Sequence, residues 1–85
     1  MKMNKVLVEV FVPALDHTFD IYIPLDLPMY SVLGLMRKAI EELSDKRFIT
    51  DRNTVICHRE DGMILDINLS AYELGIHNGS KLMLI

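Results

Sequence analysis

The chain has 85 residues, of which 51% are apolar and 25% charged, and carries a formal net charge of −3. A chain of this length buries roughly 60–65% of the surface it exposes when unfolded, enough for one core and one domain over residues 1–85. The acidic balance and the scattering of its Lys and Arg argue against a phosphate-backbone binder, so no nucleic-acid partner is expected.

The only local basic group, Lys46, Arg47 and Arg52, reads as a solvated loop. No apolar run approaches the ~18–20 residues that span a bilayer, so direct membrane insertion is not expected. The first residues, Met-Lys-Met-Asn-Lys, lead into alternating Val rather than a signal-type apolar block. The single cysteine, Cys57, cannot close an internal disulfide. A cytoplasmic location is the expectation from these features.

Residues 5–12 alternate, with Val6, Val8, Val10 and Val12 on one face and Leu7, Glu9 and Phe11 on the other. Pro13 to His17 is a breaker-containing link of hairpin length. Residues 18–25 alternate again, with Phe19, Ile21 and Ile23 opposite Thr18, Asp20 and Tyr22. Pro24 cannot donate to a ladder, which makes this an edge strand or ends it there. An N-terminal hairpin follows.

Met29 to Ser44 holds the one helical period that persists for four turns. Val32, Leu35, Met36, Ala39, Ile40 and Leu43 recur at spacings of three and four and gather on one face. Pro28 stands where the first turn begins, a position that loses nothing from its missing N–H. Gly34 costs about 1 kcal/mol relative to Ala, so it either marks close packing or is tolerated. Arg37–Glu41 and Lys38–Glu42 form i,i+4 pairs worth only a few tenths of a kcal/mol, in the weaker orientation. The helix ends by Lys46, and a connector follows in which Phe48 or Ile49 tucks under the helix end.

Thr54 to Arg59 is a third strand, and Asp61-Gly62 a tight turn, because Gly accepts positive φ. Met63 to Leu65 is a short fourth strand. Asn68 to Leu74 reads as one 3₁₀ turn closed by Gly75. Asn78-Gly79 makes a further turn before a last strand over residues 81–85. One amphipathic helix among short strands must bury its apolar stripe on the sheet.

This order is that of a β-grasp domain. The run Asn68-Leu69-Ser70-Ala71-Tyr72-Glu73-Leu74-Gly75-Ile76, with Lys81-Leu82-Met83-Leu84 after it, resembles the ubiquitin-like signature, in which Leu69 and Tyr72 plug the sheet. Phe19 to Pro28 running into Val32-Leu33-Gly34-Leu35-Met36, together with the Leu74 to Leu82 ending, is similar to small bacterial ubiquitin-like proteins of the YukD/EsaB family, linked to type VII secretion. The resemblance covers most of the chain but not residues 46–53. It implies an α+β, ubiquitin-like β-grasp: a mixed four- to five-stranded sheet packed on one α-helix, with a short helical turn before the last strand. It also implies a non-enzymatic adaptor or regulator of a type VII secretion system, with a protein partner such as a secretion ATPase or a membrane-channel component.

Ubiquitin and the bacterial sulfur carriers act through a flexible C-terminal Gly-Gly. Here the chain stops at Leu84-Ile85, so neither conjugation nor sulfur transfer is expected. The alternative is a tail-less or truncated carrier or modifier related to the sulfur carriers.

No catalytic constellation is expected. Cys57, on an inward alternation with Val55, reads as a small core residue. His58 follows it on the opposite face of the strand, so the two form no Cys–His pair. Cys57, His58, His17 and His77 lack metal-ligand spacing, and no phosphate loop exists, so neither metal nor cofactor is expected. His77 reads as a turn residue.

The open sheet face is the better candidate. If Val6, Val8, Val10, Val55, Cys57, Leu82 and Leu84 face the helix, then Leu7, Phe11, Tyr22, Ile56, Met83 and Ile85 face outward. In ubiquitin-like folds the first, third and last strands lie side by side, which would join Leu7, Ile56 and Met83 in one apolar patch. The protein-binding residues on this reading are Leu7, Phe11, Tyr22, Ile56 and Met83. The patch either recognises a partner or closes a homodimer.

Overall fold

A computed structural model describes residues 4–47, 50, 51 and 53–85. Strand β1 (Lys5–Val12) and strand β2 (His17–Pro24) form an antiparallel hairpin in unbroken register, from Lys5 opposite Pro24 to Val12 opposite His17. A 3₁₀ turn at Pro13–Leu15 joins them, closed by Asp16 in the left-handed region at φ 49°. Asp tolerates that conformation better than most residues do. Helix α1 (Met29–Leu43), strand β3 (Ile56–His58) and strand β4 (Lys81–Leu84) complete the fold.

The strand order is β2-β1-β4-β3, with β4 parallel to β1 and antiparallel to β3. β2 is an edge, where Pro24 costs the sheet no ladder bond. The sheet is mixed and has four strands. Residues 63–65, expected as a strand, contribute only an isolated antiparallel bridge between Ile64 and Cys57. The expected strand over 54–59 is regular only from Ile56 to His58. Residues 68–74 form turns rather than a 3₁₀ helix. Ser70 and Glu73 tie the start of that segment reciprocally: the Ser70 N–H donates to Glu73 Oε1 (3.0 Å) and the Glu73 N–H to Ser70 Oγ (3.1 Å).

Val6, Val8, Val10 and Val12 of β1 are buried, as are Phe19, Ile21 and Ile23 of β2, as the alternation requires. They pack with Met29, Val32, Met36 and Ile40 of the helix in one core. The buried helical stripe is narrower than expected, since Leu35 and Leu43 are both mostly exposed. At 100° per residue, Leu35 lies about 100° from the centre of the buried set, off the flank of the stripe. Leu43 has the right angle but is the last helical residue. Leu33 and Ala39, half-buried, flank the core instead.

Pro28 is the N-cap, in extended conformation, one residue before the expected first turn. The first helical N–H groups find partners across the molecule: Met29 donates to the Leu69 carbonyl (2.8 Å) and Tyr30 to that of Ile67 (3.0 Å). This docks the helix start onto the segment that precedes β4. A Cβ added at Gly34 would meet nothing within 4 Å, so this glycine is tolerated and does not mark a close approach. The expected tuck of Phe48 or Ile49 lies outside the described residues.

At the helix end, Thr50 stands between the expected Arg37–Glu41 pair. Arg37 Nε donates to Thr50 Oγ1 (2.8 Å), and Thr50 donates from its hydroxyl and its N–H to Glu41 Oε2 (2.9 and 3.3 Å). These bonds, the hydroxyl first, hold the Glu41 carboxyl below its ordinary pKa, with smaller help from Arg37 and Lys46.

Candidate protein-interaction face

Strand register decides which side chains share the open face. Val10 opposite Leu82, and Ile56 opposite Leu84, are buried pairs on the helix side. The alternate residues therefore stand on the other side, in cross-strand rows. One row runs from Thr18 through Phe11 and Met83 to Cys57, and the Ile64 bridge extends it beyond β3. Beside it Val55 and Ile85 exchange both backbone hydrogen bonds (2.7 and 3.0 Å), adding a further apolar pair.

The expected faces of β3 are thus exchanged. Ile56 is only 1% exposed and belongs to the core, so it is not a surface residue. Cys57 lies on the outer side opposite Met83 and is covered, with its Sγ 3.6 Å from the Met83 carbonyl oxygen. Val55, half-buried, goes with Cys57. The stretch Val-Ile-Cys is apolar throughout, so its own alternation carries no polarity to read; only pairing with β4 orients it.

Phe11 and Met83 are half-buried on the open face, as is Leu7, while Tyr22 is 66% exposed. Ile64, 64% exposed, joins this face although the strand pattern does not place it there. Its signal was the tight turn at Asp61-Gly62, which folds residues 63–65 back beside β3. Gly62 supplies the positive φ, 72°, and the His58 N–H donates to the Met63 carbonyl (2.9 Å). Tyr72, expected to plug the sheet, is instead 75% exposed. Ala71 beside it is the buried residue.

The next row is charged, with Asp20 opposite Glu9 and Glu9 opposite Lys81. Arg59 continues it past the end of β3, its N–H donating to the Lys81 carbonyl (3.2 Å). The row is acidic over β2 and β1 and basic over β4 and the end of β3. The Arg59 guanidinium lies over the Phe11 ring, 4.3 Å from its centroid, which roofs the apolar row with a cation.

Beyond the charged row, Leu7 and Tyr22 pair across the hairpin. The turn at Asn78-Gly79 closes on them: the Leu7 N–H donates to Asn78 Oδ1 (2.8 Å), and the Gly79 N–H to the Leu7 carbonyl (2.8 Å). Gly79 sits at φ 87°, which a side chain would resist. Together with Lys5, Glu9 and Asp20 these residues line an open concavity of about 550 Å³. The face therefore has two apolar zones separated by a polarised charged row, and the structure gathers Leu7, Phe11, Tyr22 and Met83 on it but not Ile56.

Burial pushes the Cys57 thiol above its ordinary pKa, and Asp61 adds to this, so the reactive thiolate is disfavoured. His58 points to the helix side with Leu82, away from Cys57. Among the described residues, no three His, Cys, Asp or Glu side chains converge in a geometry that could hold a metal ion. No described helix is long and apolar enough to cross a membrane.

No protein-family profile matches the chain, and no curated protein matches it. Solved structures do. The ubiquitin-like domain of the Mycobacterium tuberculosis type VII secretion system protein EccD1 superposes with a TM-score of 0.76 at 16% identity, over 98% of this chain and 99% of that one. A chain of an ESX-5 inner membrane complex matches with a TM-score of 0.69 at 17% identity, over 96% of this chain but only 21% of that chain. A chain from a toluene 4-monooxygenase complex matches as well, with a TM-score of 0.75 at 10% identity over 95% of this chain and 96% of that one. At such identities the likeness speaks of architecture, which unrelated roles can share. One helix held in a mixed four-stranded sheet of this order is a ubiquitin-like β-grasp fold.

Proposed function

We propose that this chain is a bacterial, cytoplasmic ubiquitin-like protein of YukD/EsaB type, a non-enzymatic adaptor or regulator of a type VII secretion system. It acts by binding a protein partner through the open sheet face, with Phe11 and Met83 on the apolar row and Leu7 and Tyr22 beyond the charged row. The observation that carries this reading is the match to the EccD1 ubiquitin-like domain over nearly the full length of both chains. The ESX-5 match, in which the same fold is one part of a larger chain of an inner membrane complex, supports a protein partner in a membrane assembly; the partner on this reading is a secretion ATPase or a channel component.

The physical support is the apolar row, half-buried at Phe11 and Met83 and open at Ile64, with Arg59 over the Phe11 ring. A partner that covers it removes apolar surface from water, and the charged row fixes its orientation. Ile64 is the residue to change, because it lies on the row and is mostly exposed, whereas a charge at Ile56 would enter the core. Affinity capture from native cells, followed by mass spectrometry, should recover a secretion ATPase or channel component with the wild type and lose it with Ile64→Asp. Equal recovery with both proteins would move the binding surface elsewhere. An adenylating enzyme as the captured partner would favour a carrier and overturn the reading.

A further inference from the structure

We propose that the end of the molecule where residues 25–30 meet residues 66–73 is a second docking surface, and that it takes a basic amphipathic segment of a partner protein. The two segments are held together by backbone hydrogen bonds at Met29, Tyr30 and Tyr72 (2.8–3.0 Å) and by an antiparallel bridge between Pro28 and Ser70. The packing at this junction is done by Met29 and Ala71, both fully buried. Four large side chains on the same two segments are left out of that packing: Leu27 is 41% exposed, Tyr30 57%, Ile67 44% and Tyr72 75%. Single exposed apolar residues are ordinary on protein surfaces, but four on two segments clasped together make a patch.

Its charge identifies the occupant. Residues 24–31 and 65–75 contain no Lys, Arg or His, and they carry three acidic residues, Asp26, Asp66 and Glu73, each next to one of the exposed apolar residues. All three are exposed. Asp66 accepts the Asn68 N–H and Glu73 the Ser70 N–H, so their carboxylates are oriented by neutral donors. None of the three makes an ion pair among the described residues. The charges on the two segments themselves are all carboxylates, and the nearest paired cation, Lys5, stands on β1 opposite Pro24 at one edge; such an apolar patch favours a partner with apolar anchors flanked by Lys or Arg over an acidic one. Two Tyr rings suit such a site, since they bury large area at low entropic cost and accept a cation on their faces. This surface lies at the start of the helix, and its four exposed apolar residues are not among those of the open sheet face.

The test is an amide NMR titration with a synthetic helical peptide bearing Leu on one face and Lys on the other, beside a matched peptide with Glu in place of Lys. The Lys peptide is expected to shift amides of residues 25–30 and 66–73 and to weaken as salt is added. Tyr72→Ala should weaken it about tenfold and Asp26→Lys about threefold, with unchanged thermal midpoints because both side chains are exposed. Binding of the Glu peptide with equal affinity would overturn the proposal. So would shifts centred on Phe11 and Met83, an undiminished affinity in Tyr72→Ala, or no binding of the Lys peptide.

Discussion

Strands β1 and β3 both pair with β4, one on each side, yet they acquire their faces in different ways. On β1 eight residues alternate, with every second position a Val, and all four Val side chains are buried. Its pattern alone specifies which face is in. On β3 three residues are regular, and Val55, Ile56 and Cys57 are all apolar, so either face could be the buried one. The hydrogen-bonded register with β4 makes the choice, placing Ile56 with Leu84 in the core and Cys57 with Met83 outside. The lesson is that alternation informs only where the two faces differ in polarity; elsewhere the neighbouring strand decides.

The largest effect expected from this contrast is at Ile56. Ile56→Ala should cost about 2–5 kcal/mol, as for a buried branched side chain. Met83→Ala, half-buried on the other face, should cost about 1 kcal/mol or less. Urea unfolding of the two variants checks the order, and a larger loss at Met83 would mean that the register places the faces the other way round.

The helix extends the comparison, because spacing marks the centre of its buried stripe but not its flanks, where Leu35 is exposed. Gly34→Ala should raise stability by up to about 1 kcal/mol, since the added methyl meets no neighbour and lowers the entropy of the unfolded chain. Leu35→Ala on that side should change stability by no more than about 0.5 kcal/mol. Thermal midpoints measure both, and destabilisation by Gly34→Ala would reveal a close approach at that face.

The smallest effect is electrostatic. Glu41 has a folded-state pKa below its unfolded one, so its contribution is present above the unfolded pKa and is lost as pH falls through the folded value. The surface position keeps that contribution small. Thr50→Val removes the hydroxyl that does most of the lowering, and should move the Glu41 titration up towards the ordinary carboxylate range in an NMR pH series. An unmoved titration would mean that Thr50 does not hold the carboxylate.

Legibility of the candidate face followed the same physical divide. Leu7, Phe11 and Tyr22 are readable because they hold the alternate positions of long strands whose other face is apolar throughout, and Met83 because Leu82 and Leu84 flank it. Ile56 was misplaced by one residue of register. Ile64 was missed because its place depends on a turn folding three residues back against a strand, an interaction that local pattern does not report. Leu35 and Leu43 share the spacing of the core residues yet are exposed, because spacing defines a stripe but not its width or where the covering sheet ends.

The amino-acid sequence by itself determined the hairpin, the position of the helix, the turns at Asp61-Gly62 and Asn78-Gly79 and the order of elements, because each rests on periodicity or on backbone preferences set within a few residues. Only the tertiary structure decided which side of β3 is buried, how Ile64 joins the open face, and that residues 66–73 clasp the start of the helix. Those outcomes depend on hydrogen bonds between segments distant in the chain, whose registers are chosen jointly by the core they enclose.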